Sequence, residues 1–328
     1  MMKPGVIFNE IAELAERKQT RIILWLIAAV VLTVLPGSLS AYSRRLVIEM
    51  LIFAIYAMSF DLMLGYLGLI SFGHSSFWGA GAYIVGILVA NGTISNFGSV
   101  LLIGVVLSLL LGVFFGFLVM RSTEIYFTLL TLALSQALLI LSIKWSSLTG
   151  GIDGICGITR PWNLGGTGFY YFILAFFVIC FILMRWITNA RYGRILIGIR
   201  ENESRMKAMG YNAWAFKYSA YVIAGIFGSI AGMLSAYHNK FVSPEDFAFT
   251  ITGTALLMVL IGGKASQMGS FIGAVIVVLL YRIVSTYTEH WLLVVGIVFV
   301  LIVLFARQGF VGYISELRKK VSNEGLDY

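Results

Sequence analysis

Few side chains in this chain can do chemistry. Its three histidines are His74, His238 and His290. No His-Glu-x-x-His pattern and no evident serine–histidine pairing accompanies them, so neither zinc hydrolysis nor nucleophilic catalysis is equipped. Its two cysteines, Cys156 and Cys180, have no metal-ligand spacing and give no disulfide framework. There is no phosphate-binding loop, so the chain does not hydrolyse ATP by itself. What remains is a handful of polar groups inside apolar sequence. A carboxylate at the centre of a spanning helix costs about 2.5–3.5 kcal/mol, so Glu49 and Asp61 each need a reason to be there. Asp61 stands just before Gly65. It either bonds freed backbone N–H groups or reaches interfacial water. His74 reads as a hydrogen-bonded structural residue or as the wall of a polar path; proton coupling ranks third, because no chain of buried acids accompanies it. Thr131, Ser135 and Gln136 either bond across helices or line such a path.

The elements that position these groups are membrane helices. Of 328 residues, 59% are hydrophobic and 12% charged, against about 25% charged in a soluble domain. Apolar runs cover 22–39, 46–64, 69–90, 99–120, 125–143, 169–186, 218–237, 249–261, 269–285 and 291–306. Most are near the ~20 residues a spanning helix needs, so the expected fold is an all-α polytopic membrane protein with about ten transmembrane helices, some broken. The expected organisation is a cytoplasmic segment 1–21, a transmembrane domain 22–306 and a cytoplasmic tail 307–328. Most of the 23 Lys and Arg residues then lie on one side, which places both termini in the cytoplasm. That asymmetry also accounts for the net charge of +8 without a nucleic-acid partner. A cleavable signal peptide is not expected, because the first apolar run is long and no small-residue cleavage site follows it.

Glycine is distributed unevenly. One cluster runs Gly65, Gly68, Gly73, Gly79, Gly81, with Ser71, His74 and Ser75 among them, and a second holds Gly262, Gly263, Gly269 and Gly273. Isolated glycines allow close helix packing. The dense first cluster suggests an opened or re-entrant segment. Breaks at matching places in two halves of a chain point to a transport pathway.

One charged stretch interrupts the apolar sequence, 191–217. Its apolar Ile195, Leu196, Ile199, Met206 and Met209 recur at near-helical spacing, and Arg200, Glu201, Asn202, Glu203, Arg205 and Lys207 form the polar part. Gly210 can end the helix. The expectation is an amphipathic helix parallel to the membrane, lying on lipid or in a partner's groove. Across the membrane, Thr149, Gly150, Gly151 and Asp153 suit a folded turn, with Asp153 able to cap a short helix.

The same segments carry a resemblance. GYLGLISFGHSSFWGAGAY at 65–83, YFTLLTLALSQ at 126–136, LTGGIDGI at 148–155, GRILIGIRENESRMKAMGYNAWAFK at 193–217 and GGKASQMGSFIGA at 262–274 resemble, in order, the LivM-type permease of bacterial branched-chain amino-acid ABC transporters. One departure is Arg205 and Met206, where the family usually has small residues. The resemblance implies that 191–217 holds a coupling helix for an ATP-binding subunit, with Arg200, Glu201, Asn202, Glu203 and Gly210 at its centre. It implies that Thr149, Gly150, Gly151 and Asp153 lie where a periplasmic substrate-binding protein docks. Gly65, Gly68, Ser71, Gly73, His74, Thr131 and Gln136 are the pathway candidates. The implied partners are a second homologous permease subunit, two ATP-binding subunits that use ATP and Mg, the binding protein and membrane lipid. The chain itself would bind no cofactor and no metal. The resemblance extends to permeases for urea, short amides and other amino acids, so it specifies the machine better than the cargo.

Three classes compete: an importer permease in the bacterial inner membrane, an ion-coupled secondary transporter of small polar solutes, and an intramembrane enzyme. The last lacks its catalytic groups. An ion-coupled carrier would be expected to show more acids deep in its spans, and it would leave the charged stretch without a task.

Overall fold

The computed structural model describes residues 40–287 apart from 91, 93 and 95, and beyond them only 293, 296, 297 and 300. The expected segment 1–21, the run 22–39, His290 and the tail 307–328 lie outside the described residues, as does most of the run 291–306. Between them every expected apolar run becomes a helix: α1 (Ala41–Asp61), α2 (Ser75–Val85), α3 (Phe97–Val119), α4 (Glu124–Lys144), α5 (Gly166–Asn189), α6 (Arg191–Glu201), α7 (Glu203–Ala208), α8 (Ala213–Asn239), α9 (Phe249–Gly262) and α10 (Gln267–Tyr287). Of these, α6 and α7 come from the charged stretch. Among the described residues, six helices are long and apolar enough to cross a membrane: α1 with its extension to Leu67, α3, α4, α5, α8 and α10. The shorter apolar helices are Ser75–Ala90 and α9. The expected count of about ten is therefore not reached among the described residues: two of the runs form helices shorter than a span needs, and the first run and most of the last fall outside the described residues.

Burial sorts the helices into centre and rim. In α1 and α8, 78% of the most apolar window is buried inside the protein, against 33% in α3 and α10 and 22% in α4. α8 packs on α1, α2 and α3, while α10 packs on α1 and α9. α8 can sit at the centre because it carries small residues: Ala220, Ala224, Gly225, Gly228, Ala231 and Gly232 are all buried. A methyl group on Gly232 would overlap the Trp78 carbonyl of α2, so these two backbones touch. The rim helices turn Leu102, Phe114, Ile125 and Ile182 outward. A surface this apolar and this uniform suits lipid and would be insoluble in water.

The structure departs from the expected all-α fold in one small respect. Strand β1 (Ile155–Cys156) pairs antiparallel with β2 (Phe241–Val242), Ile155 opposite Val242. The ladder joins the loop after α4 to the loop after α8, so both lie at one end of the bundle. Packed loop backbone needs partners, and two residues of ladder supply them.

The charged stretch is also not one helix. It breaks at Asn202 (φ −159°, ψ 95°), whose side chain accepts from the Arg205 N–H and caps α7. The Oδ1–N distance is 2.8 Å. Asparagine is among the best residues for that task, and here the local cap overrides the continuous apolar pattern.

Replacing Gly232 with Ala should force α2 and α8 apart and cost about 1–3 kcal/mol, seen as a lower thermal midpoint of the detergent-purified protein. Gly165→Ala, where an added Cβ meets nothing within 4 Å, should leave the midpoint unchanged.

Candidate functional site

α1 does not stop at Asp61. It widens into a π-helix over Leu62–Leu67 and ends at Gly68, which takes the left-handed conformation (φ 82°). π-Helical turns inside α-helices are rare and gather at functional sites. Non-helical backbone follows until α2 begins at Ser75. Such backbone survives in a bundle only where protein or water satisfies it. Here the Thr128 hydroxyl of α4 donates to the Ile70 carbonyl at 2.9 Å, and Gly73 lies so close under Thr131 that a Cβ would overlap that residue's carbonyl. The second glycine cluster makes a second break. α9 ends at Gly262, Gly263 (φ 108°) and Ala265 (φ 57°) turn the chain, and α10 starts at Gln267.

Asp61 joins the two breaks. It is fully buried. One carboxylate oxygen accepts from the Ala265 N–H at 2.9 Å and the other from the Ser266 N–H at 3.1 Å. Of the two roles open to Asp61, it takes the first, but the N–H groups belong to the other break. Ala265 sits in a left-handed conformation that costs an L-residue roughly 1–2 kcal/mol, and hydrogen bonds to a charged acceptor offset this.

The charged stretch reaches the first break directly. Arg200, at the end of α6, donates through Nη1 to the Gly65 carbonyl. A side chain on Gly68 would strike the Arg200 stem, whose Cγ would stand 2.6 Å from the added Cβ. Leu196 and Ile199 are buried, so α6 is seated in the protein. α7 has no buried residue. It ends in a Schellman turn, the Tyr211 N–H bonded to the Met206 carbonyl and the Gly210 N–H to the Lys207 carbonyl, with Gly210 left-handed (φ 87°). Glu201 and Asn202 are exposed. Glu203 pairs with Lys217 at 2.5 Å and with Lys207 at 2.9 Å. Between α7 and the α3–α4 turn lies a cavity of about 490 Å³, lined by Arg121, Glu124, Glu203, Lys207, Trp214 and Lys217 among others.

The remaining candidates fall in three places. His74 is fully buried. Its ring lies 5.3, 5.5 and 5.6 Å from those of Tyr56, Phe60 and Phe77, and its Nε2 is 2.9 Å from Ser59 Oγ. Ser59 gives its own proton to the Tyr56 carbonyl, so the Nε2 side of His74 carries the proton in this contact. Ser71 is buried, and its hydroxyl finds no partner among the described residues. Thr131 is buried and bonds its own helix at the Thr128 carbonyl, while Gln136 is half-buried. At the far end, Thr149 turns inward and donates to the Ser142 and Trp145 carbonyls. Gly150 and Gly151 are left-handed. Asp153 is exposed and ends the turn Gly151–Asp153, which has no side-chain cap, so the capping role expected of it is not seen.

Three contacts had no place in the sequence reading. Ser75 and Ser135 hydroxyls lie 2.8 Å apart and both donate to the Phe247 carbonyl, while the Ser75 N–H donates to the Thr252 hydroxyl. The N-termini of the half-length helices α2 and α9 therefore meet level with the middle of α4. Trp78 Nε1 donates to Asp246. Glu49 of α1 pairs with Arg282 of α10 at 2.6 Å. Only this last pair left a signal, two opposite charges inside apolar runs. Among the described residues no group of His, Cys, Asp and Glu is placed to hold a metal.

Long apolar helices, two facing breaks and a charged stretch attached to one of them fit a multi-pass membrane transport protein. The chain belongs to the family described as "Branched-chain amino acid transport system / permease component", which matches residues 42–303. It is 26% identical over 315 residues to the high-affinity branched-chain amino acid transport system permease protein LivM of Salmonella typhimurium, covering 87% of this chain and 74% of that one. It is 25% identical to the Escherichia coli protein of the same description over the same shares. A probable branched-chain amino acid transport permease protein LivM of Methanocaldococcus jannaschii is 26% identical over 226 residues, 65% of this chain and 64% of that one. No solved structure matches it.

Asp61→Asn keeps the shape but turns an N–H donor toward a backbone N–H, so it should cost about 1–3 kcal/mol, read as a drop in thermal midpoint that Asp61→Glu does not rescue. Partial burial works against the charge of Glu203, but hydrogen bonds from Lys217 and Lys207 outweigh it and hold its carboxyl below the ordinary value. A lowered folded-state value means the pairing stabilises fully above the ordinary carboxylate range and loses its effect as pH falls through the lowered one. The thermal-midpoint difference between wild type and Glu203→Gln should accordingly shrink toward zero with acidification. The difference is small, because the pair is partly exposed and screened.

Proposed function

We propose that this chain is a permease subunit of an ABC importer and forms the translocation pathway for branched-chain amino acids across the inner membrane. It works with a second homologous permease, two ATP-binding subunits that hydrolyse ATP with Mg, and a periplasmic substrate-binding protein. Both termini face the cytoplasm. The observation that carries this reading is the Arg200–Gly65 contact, which connects the charged stretch to a break in the bundle. Family membership and the printed descriptions of the relatives support the cargo.

Loaded binding protein docks on the loops around Thr149–Asp153 and the β1–β2 ladder. Closure of the ATP-binding subunits pushes on α7, which presents no buried residue, with the mixed-charge cavity beside it as their seat. The push passes through α6 and Arg200 to Gly65 and Gly68. Asp61 carries it to the second break at 263–266, so both half-length helices shift together. The substrate passes without covalent chemistry.

Tagged chain extracted from native membranes should bring down two ATP-binding subunits and a second permease. In proteoliposomes the assembly should take up leucine only with ATP, with isoleucine and valine competing and urea not. A chain that purifies alone and follows an ion gradient would overturn the proposal. Gly210→Pro, Glu203→Lys and Arg200→Ala should leave inserted, assembled protein whose ATP hydrolysis no longer drives uptake, and Gly68→Leu or Gly73→Leu should block uptake.

A further inference from the structure

Near the extracytoplasmic end of the proposed topology, away from the breaks, α1, α9 and α10 line an open cavity of about 310 Å³. Glu49, Phe53, Thr254, Met258, Val278 and Arg282 line it. Arg282 donates to Glu49 at 2.6 Å across 233 residues of sequence. A second cavity of about 140 Å³ shares Glu49 and Phe53 and adds His238, Asn239 and Asp246. An exposed ion pair contributes little to stability, and each ion inside a span is costly. Neither partner of this pair is sealed off: side-chain exposure is 48% for Arg282 and 25% for Glu49.

We infer that this cavity is a transit site for the zwitterionic head and aliphatic side chain of an α-amino acid. The inference rests on the amino-acid reading of the cargo and adds the place where the permease holds it. A zwitterion matches a pair of opposite charges by inserting between them. Its carboxylate takes the planar Arg282 fork in bidentate fashion, and its ammonium takes Glu49. Phe53, Met258 and Val278 form the apolar floor for the side chain. The volume lies at the lower end of the range for small-molecule sites, which suits a few-carbon amino acid. One cation beside a carboxylate, with the Asp246 carboxylate in the adjoining cavity, disfavours an anion, and the Arg282 charge disfavours a cation.

The test is leucine uptake by the complete complex in proteoliposomes with its binding protein. Glu49→Gln, Arg282→Gln and the double variant should each lower the maximal rate roughly tenfold or more. Subunit recovery and binding-protein-stimulated ATP hydrolysis should stay at wild-type levels. The double variant leaves no unpaired charge, so it separates loss of binding from loss of folding. Wild-type uptake in the double variant would overturn the site. So would recovery of uptake on exchanging the charges (Glu49→Arg with Arg282→Glu), because the pair would then be a strut. Should all charge variants fail to assemble, Thr254→Cys in the otherwise unmodified chain decides. Leucine should slow its maleimide labelling during turnover, while acetate and choline should not, and equal rates with leucine would overturn the site. A wild-type complex that takes up no leucine would overturn the cargo reading itself, and is told apart because the unmodified complex fails.

Discussion

Backbone that leaves the helix inside a membrane bundle must find new partners within the protein, and among the described residues this chain has two such breaks in facing positions. The Asp61 carboxylate answers that constraint for the second break by accepting the Ala265 and Ser266 N–H groups. It can do so because the first break, widened to a π-helix at Leu62–Leu67, puts Gly65 beside Ala265, where any Cβ would collide with both the carboxylate and the Ala265 nitrogen. Each break therefore needs the other. A carboxylate that would be costly alone in an apolar run is accommodated here because both of its oxygens accept backbone N–H groups of the second break.

The half-length helices follow from the same arrangement. α2 emerges from the first break and α9 runs into the second, and their N-terminal ends meet at the Phe247 carbonyl, held by Ser75, Ser135 and Thr252. α6 contacts the first break through Arg200, which donates to the Gly65 carbonyl. Hydrogen bonds therefore connect α6 to the first break, and Asp61 connects the first break to the second. Two discrete hydrogen-bonding arrangements, more than elastic bending, are what packed bundles of this kind can switch between.

His74 illustrates how position within the bundle limits a side chain. Set among Tyr56, Phe60 and Phe77 and bonded to Ser59, it braces α1 against the start of α2. Glu49 and Arg282 differ in being partly exposed beside a cavity. The same scarcity of charge that makes the bundle lipid-soluble makes each remaining charge informative.

The apolar runs, the charged stretch and the two glycine clusters were all legible in the sequence, because hydropathy, charge and glycine content act locally: a run of about 20 apolar residues can satisfy its backbone in lipid only as a helix. The Gly210 stop was legible for the same reason. The split of the charged stretch at Asn202 was written there too, but a continuous apolar pattern hid a single strong cap. What only the tertiary structure decided is partnership. Asp61 finds Ala265 across 204 residues, Ser75 finds Thr252 across 177 and Glu49 finds Arg282 across 233. No local rule reports such pairs, because which buried groups meet depends on how the helices pack side by side, and packing is settled by the shapes of all of them at once.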